Sequence, residues 1–383
     1  MTGEDKPKRK WRGLSGIVFS LVSLAALTFI AISLITGRGL NLSWLTGLFS
    51  PHVHVEPAQE FNFDVGRNRV FADLGDSLAA AGTVGIQVFD VGGSETLREP
   101  FRMSVPAINS SNGRAIAFDI SGTAVRVFDE TRVIASVEAA GAVVSASINR
   151  NGWFCVNTQE TGGLRGVATV YNDSGRAVYR VNLASGYILS SVLSPDNRSL
   201  AVLNLTDGGS RITLYNGLSK PDPDSAFDLT GELILDMRFL SGGDLLVVSE
   251  NSLIVIDKNG KSRIQYEYFD KRLGGYVLDD DLIFLHLLDF GVGYSGRLVS
   301  IDKEGTLLGE IETDRELVSM SFGGGYLAVL RNDGLMFYSA ALEEFPPSSE
   351  HTAMAGASLV LALDSGAALA AGDHLAVVIN RED

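Results

Sequence analysis

Side chains able to do chemistry are sparse in this chain, and they are scattered. His52 and His54 stand one residue apart, which on an extended segment puts both imidazoles on one side, but no cysteine or defined third ligand accompanies them. His286, His351 and His374 are isolated, and His286 lies within the apolar run 282–288, where a hydrogen-bonded core histidine is expected. The single cysteine, Cys155, sits among Trp153, Phe154 and Val156; it reads as a small buried hydrophobe with no intramolecular disulfide and no activated thiol. Asp257-x-Asn259-Gly260 has the opening of a calcium loop without the later carboxylate, and Asp279-Asp280-Asp281 falls at a predicted turn, so both read as solvated turn carboxylates. In Gly293-Tyr294-Ser295-Gly296 the nucleophile elbow fails at Arg297, where its last glycine should be. No phosphate loop, dinucleotide fingerprint or zinc helix appears. The residues therefore assign no catalytic group, no cofactor and no metal.

The elements that would have to position any site are far more legible. Eight times a short apolar strand ends in an aromatic residue or Ile followed by a small polar one: Phe89-Asp90, Phe128-Asp129, Tyr171-Asn172, Tyr215-Asn216, Ile256-Asp257, Ile301-Asp302, Tyr338-Ser339 and Ile379-Asn380. The steps between them are 39, 43, 44, 41, 45, 37 and 41 residues, the length of one four-stranded propeller blade. Turns such as Asn112-Gly113 and Asn151-Gly152 precede the apolar run upstream of each signature, and turns such as Asp173-Ser174-Gly175, Lys258-Asn259-Gly260 and Lys303-Glu304-Gly305 follow it. Units this short cannot bury both sheet faces alone and must stack around an axis. After the last full unit the chain offers three strands only, and the alternation of Phe61, Phe63 and Val65 against Asn62 and Asp64 predicts that 61–65 supplies the fourth. The expectation is an all-β propeller over 60–383 with eight blades, or seven if one unit is irregular.

The first 59 residues answer a different question, that of location. Residues 13–36 carry no charge, and 13 of the 22 residues from 14 to 35 are Leu, Ile, Val or Phe. At about −0.3 to −0.6 kcal/mol for each such side chain near the bilayer centre, insertion as a transmembrane helix is favourable. A cleaved signal peptide is the rival reading, though its apolar region would run to only about 7–15 residues. The basic tail 1–12 carries Lys6, Lys8, Arg9, Lys10 and Arg12 ahead of the span, and Arg38 alone follows closely, which predicts a cytoplasmic N-terminus and an extracytoplasmic propeller on a single-pass plasma-membrane anchor. The connector 37–59 carries Leu40, Leu42, Trp44, Leu45, Leu48 and Phe49, which either lie at the outer membrane interface or else extend the anchor or pack on the propeller rim. The tail holds five of the 31 basic and two of the 46 acidic side chains, leaving 26 against 44 over 13–383, a net charge of −18. A body so acidic repels phosphate backbones and argues against nucleic acid as a partner.

Ser194-Pro195-Asp196-Asn197 and Val127-Phe128-Asp129 are similar to the turn and the Trp-Asp position of WD-type propellers, although no Gly-His dipeptide accompanies them. The repeating Trp of quinone-dependent propeller enzymes is missing, since only Trp44 and Trp153 follow the tail, so that cofactor is not implied. In its order of basic tail, anchor, connector and repeats, the whole chain resembles an uncharacterised family of membrane-anchored, propeller-like proteins of Gram-positive, clostridial-type bacteria. The resemblance implies an exported envelope protein and transfers no functional residue. A contact patch is expected at the sixth blade, where Tyr266, Tyr268, Phe269, Lys271 and Arg272 precede the unit and Phe290, Gly291, Gly293 and Tyr294 form its inner loop. The expected function is a protein-interaction or envelope scaffold module. Two alternatives stay open: binding or sensing of a small ligand in the central channel, and a metal-dependent hydrolase.

Overall fold

A computed structural model describes residues 60–159, 165–183, 185–291, 293–345 and 356–380, all within one compact unit, Val55–Asp383. The predicted tail, anchor and connector lie outside the described residues, as do His52, His54 and His351. Among the described residues no helix is long and apolar enough to cross a membrane.

The strands form eight antiparallel sheets of four. Blade one is Val70–Asp73, Ser77–Ala81, Gly85–Asp90 and Glu95–Pro100; blade two is Pro106–Ser111, Arg114–Asp119, Ala124–Phe128 and Val133–Glu138. Blade three follows with Ala142–Ile148, Phe154–Gln159, Gly166–Tyr171 and Ala177–Leu183, and blade four with Tyr187–Leu193, Ser199–Thr206, Gly209–Asn216 and Ser225–Thr230. Blade five holds Ile234–Phe239, Leu245–Ser249, Ser252–Ile256 and Ser262–Glu267, and blade six Lys271–Leu278, Leu282–Asp289, Gly296–Asp302 and Leu307–Thr313. Blade seven is Leu317–Gly323, Tyr326–Arg331, Gly334–Tyr338 and the short Glu344–Phe345. Blade eight takes Leu359–Ala362, Ala368–Ala371 and Leu375–Ile379 from the end of the chain and Glu60–Asn62 from its beginning.

Burial explains the strand sequences. Second strands such as Leu245–Ser249 and Ala368–Ala371 are buried on both faces and are almost wholly apolar, whereas fourth strands such as Glu95–Pro100 alternate exposed and half-buried positions. Each interface between neighbouring blades holds its own apolar cluster; Phe284, Leu298, Leu327 and Val329 fill the one between blades six and seven. Blades eight and one share the cluster of Phe61, Phe63, Val65, Leu78, Phe89, Leu369 and Val378, so the ring is closed by core packing as well as by strand pairing.

The recurring polar residue has a structural reason. The side chain of Asp129 accepts from the backbone N–H of Thr131 and Arg132, both at 2.9 Å, and Asp302 accepts from Glu304 and Thr306 at 3.0 and 2.7 Å. Asn172, Asp257 and Ser339 do the same in their own blades. The signature is thus the third strand's end plus an Asx-type cap on the turn into the fourth. After Asp90, Asn172, Asp257 and Asp302 the third residue is a glycine at positive φ, Gly93 at 75° and Gly260 at 74° among them, while blade seven holds Leu342 at 62°.

The closing strand is Glu60–Asn62, shorter than the expected 61–65. Glu60 pairs with Val377, Phe61 with Ala376 and Asn62 with Leu375, and the N–H of Phe63 donates to the carbonyl of His374 at 3.2 Å. Phe63 and Val65 continue the burial beyond the ladder at 3% and 0% exposure, Phe63 meeting Phe71 edge-on at 5.3 Å. The ladder stops because Val65 turns to blade one, its carbonyl accepting from the N–H of Val84 at 3.1 Å.

Candidate functional site

Antiparallel succession puts the second-to-third loops and the connections between blades on one face of the ring, here the upper face. Most of the large apolar residues left exposed among the described residues lie there, including Val84, Ile120, Tyr187, Leu233, Phe269 and Phe290. The sequence-derived patch divides by depth. Phe269 and Phe290 are 83% and 70% exposed and Tyr294 46%, and Arg272 is exposed as well. Tyr268 is only 1% exposed, packed with Leu246, Val248, Leu285 and Leu287, and Tyr266 is half-buried against the same cluster opposite Leu253. Tyr268 therefore belongs to the core and not to the surface patch expected of it, because its ring fills the apolar cluster between blades five and six. Its hydroxyl is buried and finds no partner among the described residues.

The exposed rings are set by local geometry. The N–H of Lys271 donates to the carbonyl of Tyr268 at 3.2 Å, and this turn holds Phe269 at φ 55°. Lys271 pairs with Asp289, holding that carboxyl below its ordinary range, and Ser295 donates to the same carboxylate at 2.9 Å. Phe269 and Phe290 thus flank one end of the hairpin formed by the first two strands of blade six. Tyr294 hydrogen-bonds Glu316, which raises its phenol.

A second site, which the sequence did not single out, lies in the lower half of the channel. A cavity of about 330 Å³ is lined by Asn109, Ser145, Ser147, Ser190, Asp236, Arg238, Tyr276 and Asp280 from blades two to six. Asp236 accepts from the Tyr276 hydroxyl and is pushed up chiefly by burial, against the lowering effect of its hydrogen bonds. Arg238 donates to the carbonyl of Leu278 at 2.6 Å and meets Asp280 at 3.3 Å, and Arg150 reaches the same Asp280 at 3.3 Å from blade three. Asp280 is thus a tie between blades three, five and six instead of the free turn carboxylate expected, and Asp281 pairs with Lys303 at 2.5 Å. Serine contacts link inner strands as well, Ser145 donating to Leu189 at 2.8 Å and Ser147 to Ser191 at 2.6 Å.

The remaining candidates are structural. His286 is 3% exposed, lies 3.3 Å from the Thr313 hydroxyl, and is pushed down to about 4 by burial and by Arg272. Cys155 is fully buried beside Ser191, which donates to it, and burial pushes its thiol up to about 12. Asp257 caps its own turn, accepting from Asn259 and Lys261 at 2.8 and 3.0 Å. Among the described residues no group of three or more His, Cys, Asp or Glu side chains could hold a metal ion.

A family model described as "Family of unknown function (DUF5711)" matches residues 54–341. No curated protein matches the chain. Among solved structures, the C-terminal WD40 domain of Sif2 aligns at a TM-score of 0.59 and 14% identity, over 84% of this chain and 99% of that one. BamB from Moraxella catarrhalis aligns at 0.51 and 17% identity, over 84% of this chain and 96% of that one. At these identities the likeness establishes the propeller fold alone.

Proposed function

The chain belongs to the Family of unknown function (DUF5711), a membership that assigns no chemistry, and we propose that it is a protein-interaction propeller whose upper face at blade six receives a protein partner. The observation that carries this reading is the exposure of Phe269 and Phe290, 83% and 70%, flanking the ion-paired end of one hairpin. Leaving two phenylalanine rings in water forgoes roughly 1.5–3 kcal/mol each of burial free energy, which a partner covering them would recover. Aromatic residues beside an arginine on a rigid scaffold are the usual composition of an interaction hot spot, and Arg272 supplies the arginine. The uncharged stretch 13–36 behind a basic tail favours a plasma-membrane anchor with the propeller outside the cell and a partner drawn from the envelope.

Proximity labelling from a C-terminal tag on the full chain, followed by co-purification, tests the reading. Reproducible neighbours are expected, with capture falling at least about tenfold in Phe269→Ala/Phe290→Ala, as loss of a hot spot implies, while the melting temperature stays put. Full capture by the double variant would remove blade six as the contact.

A further inference from the structure

The inner strands of blades three to seven share a distortion. Among the described residues, each shifts register against its second strand near its upper end, between Val143 and Ser145, Ile188 and Ser190, Ile234 and Asp236, Leu273 and Gly275, and Leu317 and Ser319. Blades one, two and eight run without a shift. A bulge adds one residue, bends the strand and re-aims the side chain after it, at the cost of ladder hydrogen bonds. In blades three, four and five the residue that follows is polar, Ser145, Ser190 and Asp236, and all three line the cavity in the channel.

From this we propose that the lower channel is a binding site for a neutral polyhydroxylated molecule of single-sugar size, independent of the partner face. The cavity of about 330 Å³ matches roughly eleven waters at about 30 Å³ each. Each charged group in its lining already has a partner, Arg150 and Arg238 on Asp280, Arg238 also on the carbonyl of Leu278, and Asp236 on the Tyr276 hydroxyl, so none stands free to recruit an ion. The hydroxyls of Ser145, Ser147 and Tyr276 spend their protons within the protein and are left to accept, while Asn109 and Ser190 can donate, and together these meet an alcohol oxygen, which donates once and accepts twice. Met237 and Leu278 add the apolar surface such a site requires.

Saturation-transfer NMR and calorimetry on the full chain, with glucose, mannose and N-acetylglucosamine as probes beside gluconate and spermidine, test the proposal. Saturable binding of at least one neutral sugar is expected, weakened about tenfold by Tyr276→Phe, the scale of about 1.4 kcal/mol for one hydrogen bond. Filling the cavity with Ser190→Leu should abolish it, and Tyr276→Phe carries the test if that variant does not fold. Binding of gluconate or spermidine in place of neutral sugars, sugar binding indifferent to both variants, or no probe bound at all would each overturn it. None of these outcomes bears on the upper-face patch of Phe269 and Phe290.

Discussion

Phe269 joins two features that folding alone does not favour, a left-handed backbone for a bulky side chain and a ring that is 83% exposed. Tyr268, its neighbour, is its opposite, fully packed but with a hydroxyl that has no partner among the described residues. Since an unsatisfied buried hydroxyl costs about 1–3 kcal/mol, Tyr268→Phe should leave the denaturant midpoint unchanged or raise it. A clear drop would reveal a hidden hydrogen bond. Tyr268→Ala, by contrast, should cost about 3–5 kcal/mol through the cavity it leaves. His286 gives a pH signature. Its folded value near 4 lies below the ordinary 6.5, so the unfolded chain takes up the proton first, and stability present above pH 6.5 is lost as pH falls toward 4. The loss is on the order of 3 kcal/mol, and His286→Gln should flatten the stability curve across that window. Cys155 works in the other direction: with its thiol near 12, the native protein should resist alkylation at pH 8 and react only on unfolding.

At the scale of elements, the turn after the third strand links sequence to fold most directly. The aromatic-plus-polar signature was visible because in most blades a capping side chain sits at one fixed place, and the glycine three residues on, in four of them, because φ there is positive. Leu342 escaped that grammar, having kept the conformation while burying its side chain at 4% exposure among Phe284, Leu298 and Tyr338. Gly93 shows how turn and closure are coupled, since a Cβ there would stand 2.9 Å from Cβ of Phe61 on the closing strand. Gly93→Ala should therefore destabilise the ring by about 1–3 kcal/mol through both strain and collision, read as a lowered melting temperature. Deleting 59–66 should lower it far more than deleting 37–58; equal effects would mean that the strand does not hold the ring shut. The bulges of the inner strands were not legible, because a register shift is decided by pairing with a partner strand and leaves no fixed residue type behind.

For the whole molecule, repetition made the architecture readable and also hid the sites. Blade length, turn residues and the split last blade each follow from what one sheet needs to stack on the next, so they recur and can be counted. The channel belongs to no single repeat: Ser145 comes from blade three, Asp236 from blade five and Tyr276 and Asp280 from blade six, and they meet only once the ring closes. The surface patch was half legible. Aromatic density near 266–294 was plain, but sequence cannot separate a ring that fills the core, as Tyr268 does, from one that faces water, as Phe290 does.

The closing strand has a mechanical meaning. Glu60–Asn62 runs from the lower rim toward the upper one, antiparallel to Leu375–Ile379, and Phe63 and Val65 sit wedged in the core just beyond it. A pull on the chain ahead of Glu60, with a load held on the upper face, would drag this strand lengthwise past its neighbour instead of peeling it off rung by rung. Its hydrogen bonds would then break together, and two buried side chains would have to be drawn out after them. The seam of the ring is in this sense a latch, placed where tension along the chain would first arrive.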